Sequence, residues 1–81
     1  MKVRAEFYSR LKEIAGASAI QLDLAEPATV SALWRELQKR YPAFQDFKTS
    51  VLFGSGVEFV PPEHALREGD VIAIMPPVQG G

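Results

Sequence analysis

The sequence predicts a small two-layer α+β domain: about five strands with one main helix on one face of the sheet. Three observations carry this. Apolar residues alternate along 2–8 and 19–24, the period of half-buried strands. One stretch, 29–41, has helical periodicity throughout. The remaining short apolar runs are separated by turn signals, Gly54-Ser55-Gly56 and Glu68-Gly69-Asp70. The expected order is β-β-α-β-β-β, and a single helix can cover only one face of such a sheet.

In "KVRAEFY" (2–8), Val3, Ala5 and Phe7 share one face, and Lys2, Arg4, Glu6 and Tyr8 the other. "SRLKEIAG" switches to helical spacing through Leu11, Ile14 and Ala15, with Gly16 as its stop. In "SAIQLDLAE" the alternation returns, with Ile20, Leu22 and Leu24 inward, so the first two strands can form a hairpin around a helical turn. Thr29 is the expected N-cap of the main helix. Val30, Leu33, Trp34, Leu37 and Tyr41 make one continuous apolar stripe, and Pro42 ends it. Arg35, Glu36, Lys39 and Arg40 occupy the opposite side. "TSVLFGSGVEFVPP" reads as two short strands around Gly54-Ser55-Gly56, with Val57 and Phe59 on one side and Glu58 and Val60 on the other. "VIAIM" (71–75) is a β-branched run of the kind that fills a central strand.

Composition narrows the function classes. The chain has 81 residues, 47% of them hydrophobic, and a net charge of −1 from nine basic and ten acidic side chains. It is sized for one domain and lacks the basic stripe of a nucleic-acid binder. No apolar run approaches the roughly 18–20 residues of a membrane helix, so a soluble, cytoplasmic protein is expected. There is no cysteine, hence no disulfide, thiolate zinc site or thiol nucleophile. His64 is the one imidazole and reads as a loop residue. Glu63 and Glu68 read as solvated surface in a charged turn. These absences argue against an autonomous enzyme.

Two features remain. If Ile72 and Ile74 face the helix, then Val71, Ala73 and Met75 face away, and Tyr8, Phe59 and Met75 form an exposed apolar patch of the kind that marks partner sites. Beside it the chain ends in "MPPVQGG". Pro76 and Pro77 stop the strand and hold the chain extended. Gly80 and Gly81 are thin enough to enter a narrow channel, and an α-carboxylate stands at the tip. The expected division is a domain over 1–75 and a flexible tail over 76–81.

"GDVIAIMPPVQGG" closely resembles the C-terminus of the small, sulfur-carrying subunits of molybdopterin synthase, the MoaD/ThiS family. "KVRAEFYSRLKEIAG" is similar to the start of those proteins, and "TVSALWRELQKRYPAF" to their middle. The resemblance implies a β-grasp, ubiquitin-like fold with a mixed sheet. It implies that an ATP-dependent, MoeB-like activating enzyme adenylates Gly81, and that sulfur transfer makes a thiocarboxylate there. The tail, with Gly80 as its stem, would then enter a MoaE-like large subunit and give sulfur to precursor Z, cyclic pyranopterin monophosphate, within a heterotetramer. Tyr8, Phe59, Met75, Pro76, Pro77 and Val78 would contact partners. No cofactor would be bound by this chain, ATP being used by the activating enzyme, and catalytic residues would lie on the partners.

"VLFGSGVEFV" departs from the family pattern in lacking an Asn before the fourth strand. Other sulfur carriers, serving thiazole synthesis or tRNA thiolation, share the Gly-Gly logic. So does a ubiquitin-like protein modifier, because an activated Gly81 can meet either sulfur or an amine.

Overall fold

The computed structural model describes residues 1–47 and 50–77. Five strands form one sheet: β1 (Lys2–Phe7), β2 (Ala19–Asp23), β3 (Leu52–Ser55), β4 (Glu58–Val60) and β5 (Val71–Met75). Their order is β2-β1-β5-β3-β4, so β5 is central as expected. β1 and β5 are parallel and the other neighbours antiparallel, which makes the sheet mixed. Parallel neighbours cannot be joined by a tight turn, and the crossover here is the whole intervening chain.

The alternation in the sequence becomes the core. Val3, Ala5, Phe7, Leu22, Phe53, Ile72 and Ile74 are buried on one face of the sheet. Helix α2 (Val30–Arg40) lies against them through Val30, Leu33, Trp34 and Leu37. Thr29 caps it, its Oγ1 accepting the Ala32 N–H at 3.3 Å. The stripe was expected to run through Tyr41, but the helix ends at Arg40 and Tyr41 is its half-buried C-cap. Helix α1 (Arg10–Ala15) buries Leu11 and ends at Gly16, whose φ of 70° is the left-handed geometry that glycine accommodates.

Pro42–Phe47 forms a 3-10 helix that the periodicity did not announce. It buries Phe44, which stacks on Trp34 (ring centroids 5.4 Å, interplanar 17°) and meets Phe7 edge-on at 5.5 Å. Aromatic pairs of this kind add to simple burial.

Two expectations about the hairpin are corrected. The β3–β4 turn is not centred on Gly54-Ser55-Gly56. Ser55 still pairs with Glu58, which leaves the two-residue loop Gly56-Val57, and only Gly56 needs the left-handed region, at φ 63°. Gly54 is therefore a strand residue. Val57 sits in the turn, fully exposed, so it does not extend the side of β4 that carries Phe59.

The 61–70 loop closes the core with Leu66, whose N–H donates to Ala28 O. Glu68 does more than face solvent: its Oε1 accepts the Lys2 N–H at 3.0 Å. Gly69, at φ 84°, donates to Lys2 O at 2.7 Å, and together these contacts fasten the entry of β5 to the start of β1.

Candidate functional site: the uncovered face and the root of the tail

Because α2 covers one face, the outer face of the sheet is left open. On β5 Ile72 and Ile74 go to the core, and Val71, Ala73 and Met75 face outward. Tyr8 follows β1 directly. Its N–H donates to Ile74 O at 3.2 Å, its ring is 46% exposed, and its hydroxyl lies 3.4 Å from Glu6 Oε1. Phe59 is 71% exposed and stands opposite Gly54 in register. The structure thus brings Tyr8, Phe59 and Met75 together, lining one depression of about 340 Å³ whose floor is Gly54 and Ala73.

Leu52 joins this face and was missed in the sequence. It is the register partner of Met75 and is 39% exposed. The signal was available: Phe53 is buried, so its neighbour on β3 must point the other way. Val71, also exposed, extends the patch toward the charged half of the sheet, where Arg4 Nε lies 3.7 Å from Glu6 Oε2. The outer face is therefore apolar beside β3, β4 and the end of β5, and ionic along β1.

The tail leaves from the same end. Pro76 and Pro77 are half-buried and line a cleft of about 480 Å³ with Ser9, Arg10, Asp46, Phe47 and Ser50. The residues that the two prolines were expected to project, 78–81, lie outside the described residues. Ser9, at φ 54° and ψ −129°, is the one described non-glycine residue with positive φ. Val78, Gly80 and Gly81 lie outside the described residues. His64 is held in its loop by backbone bonds, its N–H to Pro61 O and its carbonyl to the Val30 N–H. Among the described residues no group of three or more His, Cys, Asp or Glu is placed to hold a metal ion. No helix among them is long and apolar enough to cross a membrane.

A five-stranded mixed sheet with one covering helix, an open apolar face and a C-terminal arm leaving the central strand defines a β-grasp, ubiquitin-like domain. The chain belongs to the ThiS family, whose model matches residues 5–81. A relative from Chlamydomonas reinhardtii, called molybdopterin synthase sulfur carrier subunit, is 28% identical over 83 residues, covering 100% of both chains. The solved structure of a Pyrococcus furiosus protein, described as putative molybdopterin converting factor subunit 1, superposes with a TM-score of 0.85 at 27% identity. It covers 96% of this chain and 99% of that one. A complex of subunits 1 and 2 of molybdopterin-converting factor from Helicobacter pylori contains a chain with the same fold (TM-score 0.69, 20% identity, all of both chains covered).

Proposed function

We propose that this chain is a sulfur carrier whose C-terminal Gly81 is adenylated, converted to a thiocarboxylate, and used as the sulfur donor in molybdopterin synthesis. The observation that carries the reading is that the family match runs through the final Gly80-Gly81, and does not stop at the folded domain. The whole-length relative named as a molybdopterin synthase sulfur carrier subunit supports the same branch of the family.

The chemistry follows from what the chain has and lacks. A carboxylate at neutral pH is a poor electrophile. In the first step Gly81 attacks the α-phosphorus of ATP on an activating enzyme, forming an acyl adenylate and releasing pyrophosphate. A sulfide-level donor then adds to the acyl carbon and AMP leaves, which gives a thiocarboxylate. That group is an anionic sulfur nucleophile at neutral pH, as a thiolate is. With no cysteine in the chain, the terminus is the place where it can carry sulfur. Delivery to precursor Z ends with hydrolysis of the acyl group, which returns Gly81 as carboxylate for another cycle.

The fold supplies docking and aim, and the partners supply the catalytic groups. Tyr8, Leu52, Phe59 and Met75 offer the apolar surface on which a MoaE-like large subunit or a MoeB-like activating enzyme can sit. Pro76 and Pro77 set the direction of departure, and Val78 with Gly80 forms the stem that partner side chains enclose, excluding water from the reacting sulfur. The Helicobacter pylori complex, in which a protein of this fold is bound to a second subunit, supports a large-subunit partner. We infer a heterotetramer and a cytoplasmic setting for the reaction.

The test is product formation. Thiocarboxylated chain mixed with the large subunit should convert precursor Z to the dithiolene, and a chain lacking Gly81 should not. Product formed by the deleted chain would sink the reading.

A further inference from the structure

The outer face carries a hole as well as a patch. We propose that the depression over Gly54 and Ala73 is a socket for one large apolar side chain of the large subunit that receives the tail; this rests on the docking reading above.

Gly54 pairs with Phe59 on one side and with Ala73 on the other. Two of the smallest residues thus lie next to each other in the sheet, with Tyr8, Phe59 and Met75 standing around them. A glycine inside a strand weakens it, because it adds chain entropy and packs nothing. Gly54 does not have the positive φ that would require glycine. Crowding does not require it either. A Cβ at this position would meet Met75 Cε at 3.3 Å, with Ala73 Cβ and Glu58 O at 3.7 Å. The tightest contact is the end of a flexible side chain, which can turn aside. What the missing side chain does is keep about 340 Å³ open in the middle of the apolar face.

The reach of the tail, together with the second subunit bound to a protein of this fold in the Helicobacter pylori complex, selects the occupant. Gly81 lies four residues beyond Pro77, and four extended residues span at most about 14 Å. A protein whose active site holds Gly81 must therefore come close to Pro77, and Met75, two residues earlier, is one wall of the depression. The same partner that encloses the tail covers the socket. Glu58 alternates with Phe59 along β4 and meets the depression through its backbone carbonyl, 3.7 Å from where a Cβ of Gly54 would stand, so the side chains around the hole are apolar apart from the Tyr8 hydroxyl. Central pockets that receive a single anchor typically concentrate binding energy.

The experiment measures binding of the unmodified full chain to the cognate large subunit by calorimetry, with thermal denaturation of each variant. Gly54→Val should fold with a Tm equal to or above that of the original chain, since valine suits a strand, and should bind about 10-fold or more weakly. Gly54→Ala, which adds only the Cβ, provides a milder form of the same test. Unchanged affinity in both Gly54 variants would overturn the socket. A chain that self-associates through this face, with dimerisation lost in Gly54→Val and large-subunit binding intact, would assign the socket to a second copy and overturn the proposal. The docking reading is separable: if the original chain never gains sulfur or never binds, that reading fails, whereas loading with Gly54-insensitive binding removes the socket alone.

Discussion

The backbone N–H of Tyr8 donates to the carbonyl of Ile74 at 3.2 Å, joining the residue after β1 to the strand from which the tail departs. Phe7 and Ile74 are register partners in the core, so Tyr8 and Met75, the next residue along each strand, emerge together on the outer face. The outer apolar patch and the root of the tail are thereby held side by side in one sheet, so a partner docked as proposed on the first would have a fixed origin for the second.

Met75 tests the patch. It is half-buried on the outer face, outside the core cluster. Met75→Asp should weaken binding to the large subunit by about 10-fold or more, through a desolvated carboxylate in an apolar contact. Its Tm should fall by much less than that of a core variant. Calorimetric titration and thermal denaturation of the same protein check both halves, and unchanged affinity would remove Met75 from the interface.

Phe44 tests the aromatic core. It is fully buried between Trp34, Phe7 and Tyr41. Phe44→Ala should cost about 3–5 kcal/mol of unfolding free energy, the range for deleting a buried aromatic ring. In a domain of this size that is a large fraction of the total. Urea denaturation should show a much lower midpoint, and a midpoint within error of the original would mean that the 3-10 segment does not pack as described.

Ser9 tests backbone strain beside the tail. Its φ of 54° with ψ of −129° is a conformation that glycine adopts far more easily. Ser9→Gly should therefore stabilise the fold by about 1 kcal/mol, net of the extra entropy of an unfolded glycine. Most glycine substitutions destabilise, so the sign is diagnostic, and a lowered Tm would contradict the assigned geometry.

Thr29 tests the helix cap. Its Oγ1 accepts from the Ala32 N–H, and Thr29→Ala should cost about 1 kcal/mol in a denaturant titration, with Thr29→Ser close to neutral.

The parts of the fold with a strong period were legible in the sequence. Alternation along 2–8 and the stripe from Val30 to Leu37 placed the core, and the same alternation put Tyr8, Phe59 and Met75 outside it. What failed to show were features set by contacts distant in the chain. Phe44 sits in a short segment with no period of its own, and its burial depends on Trp34 and Phe7. The turn was misplaced because Gly54 and Gly56 look alike in sequence, and only the pairing of Ser55 with Glu58 separates the strand glycine from the turn glycine. Leu52 became part of the face once its register with Met75 was known. Arg10 and Ser9 reached the root of the tail only when the chain had closed.

The most direct measurement is the intact mass of the chain after incubation with ATP, its activating enzyme and a sulfide-level donor. One oxygen should be replaced by one sulfur, mapped to Gly81 and dependent on ATP, with no change in a chain lacking Gly81. A chain that keeps its mass under conditions that load a relative, or a deleted chain that gains sulfur equally, would contradict it.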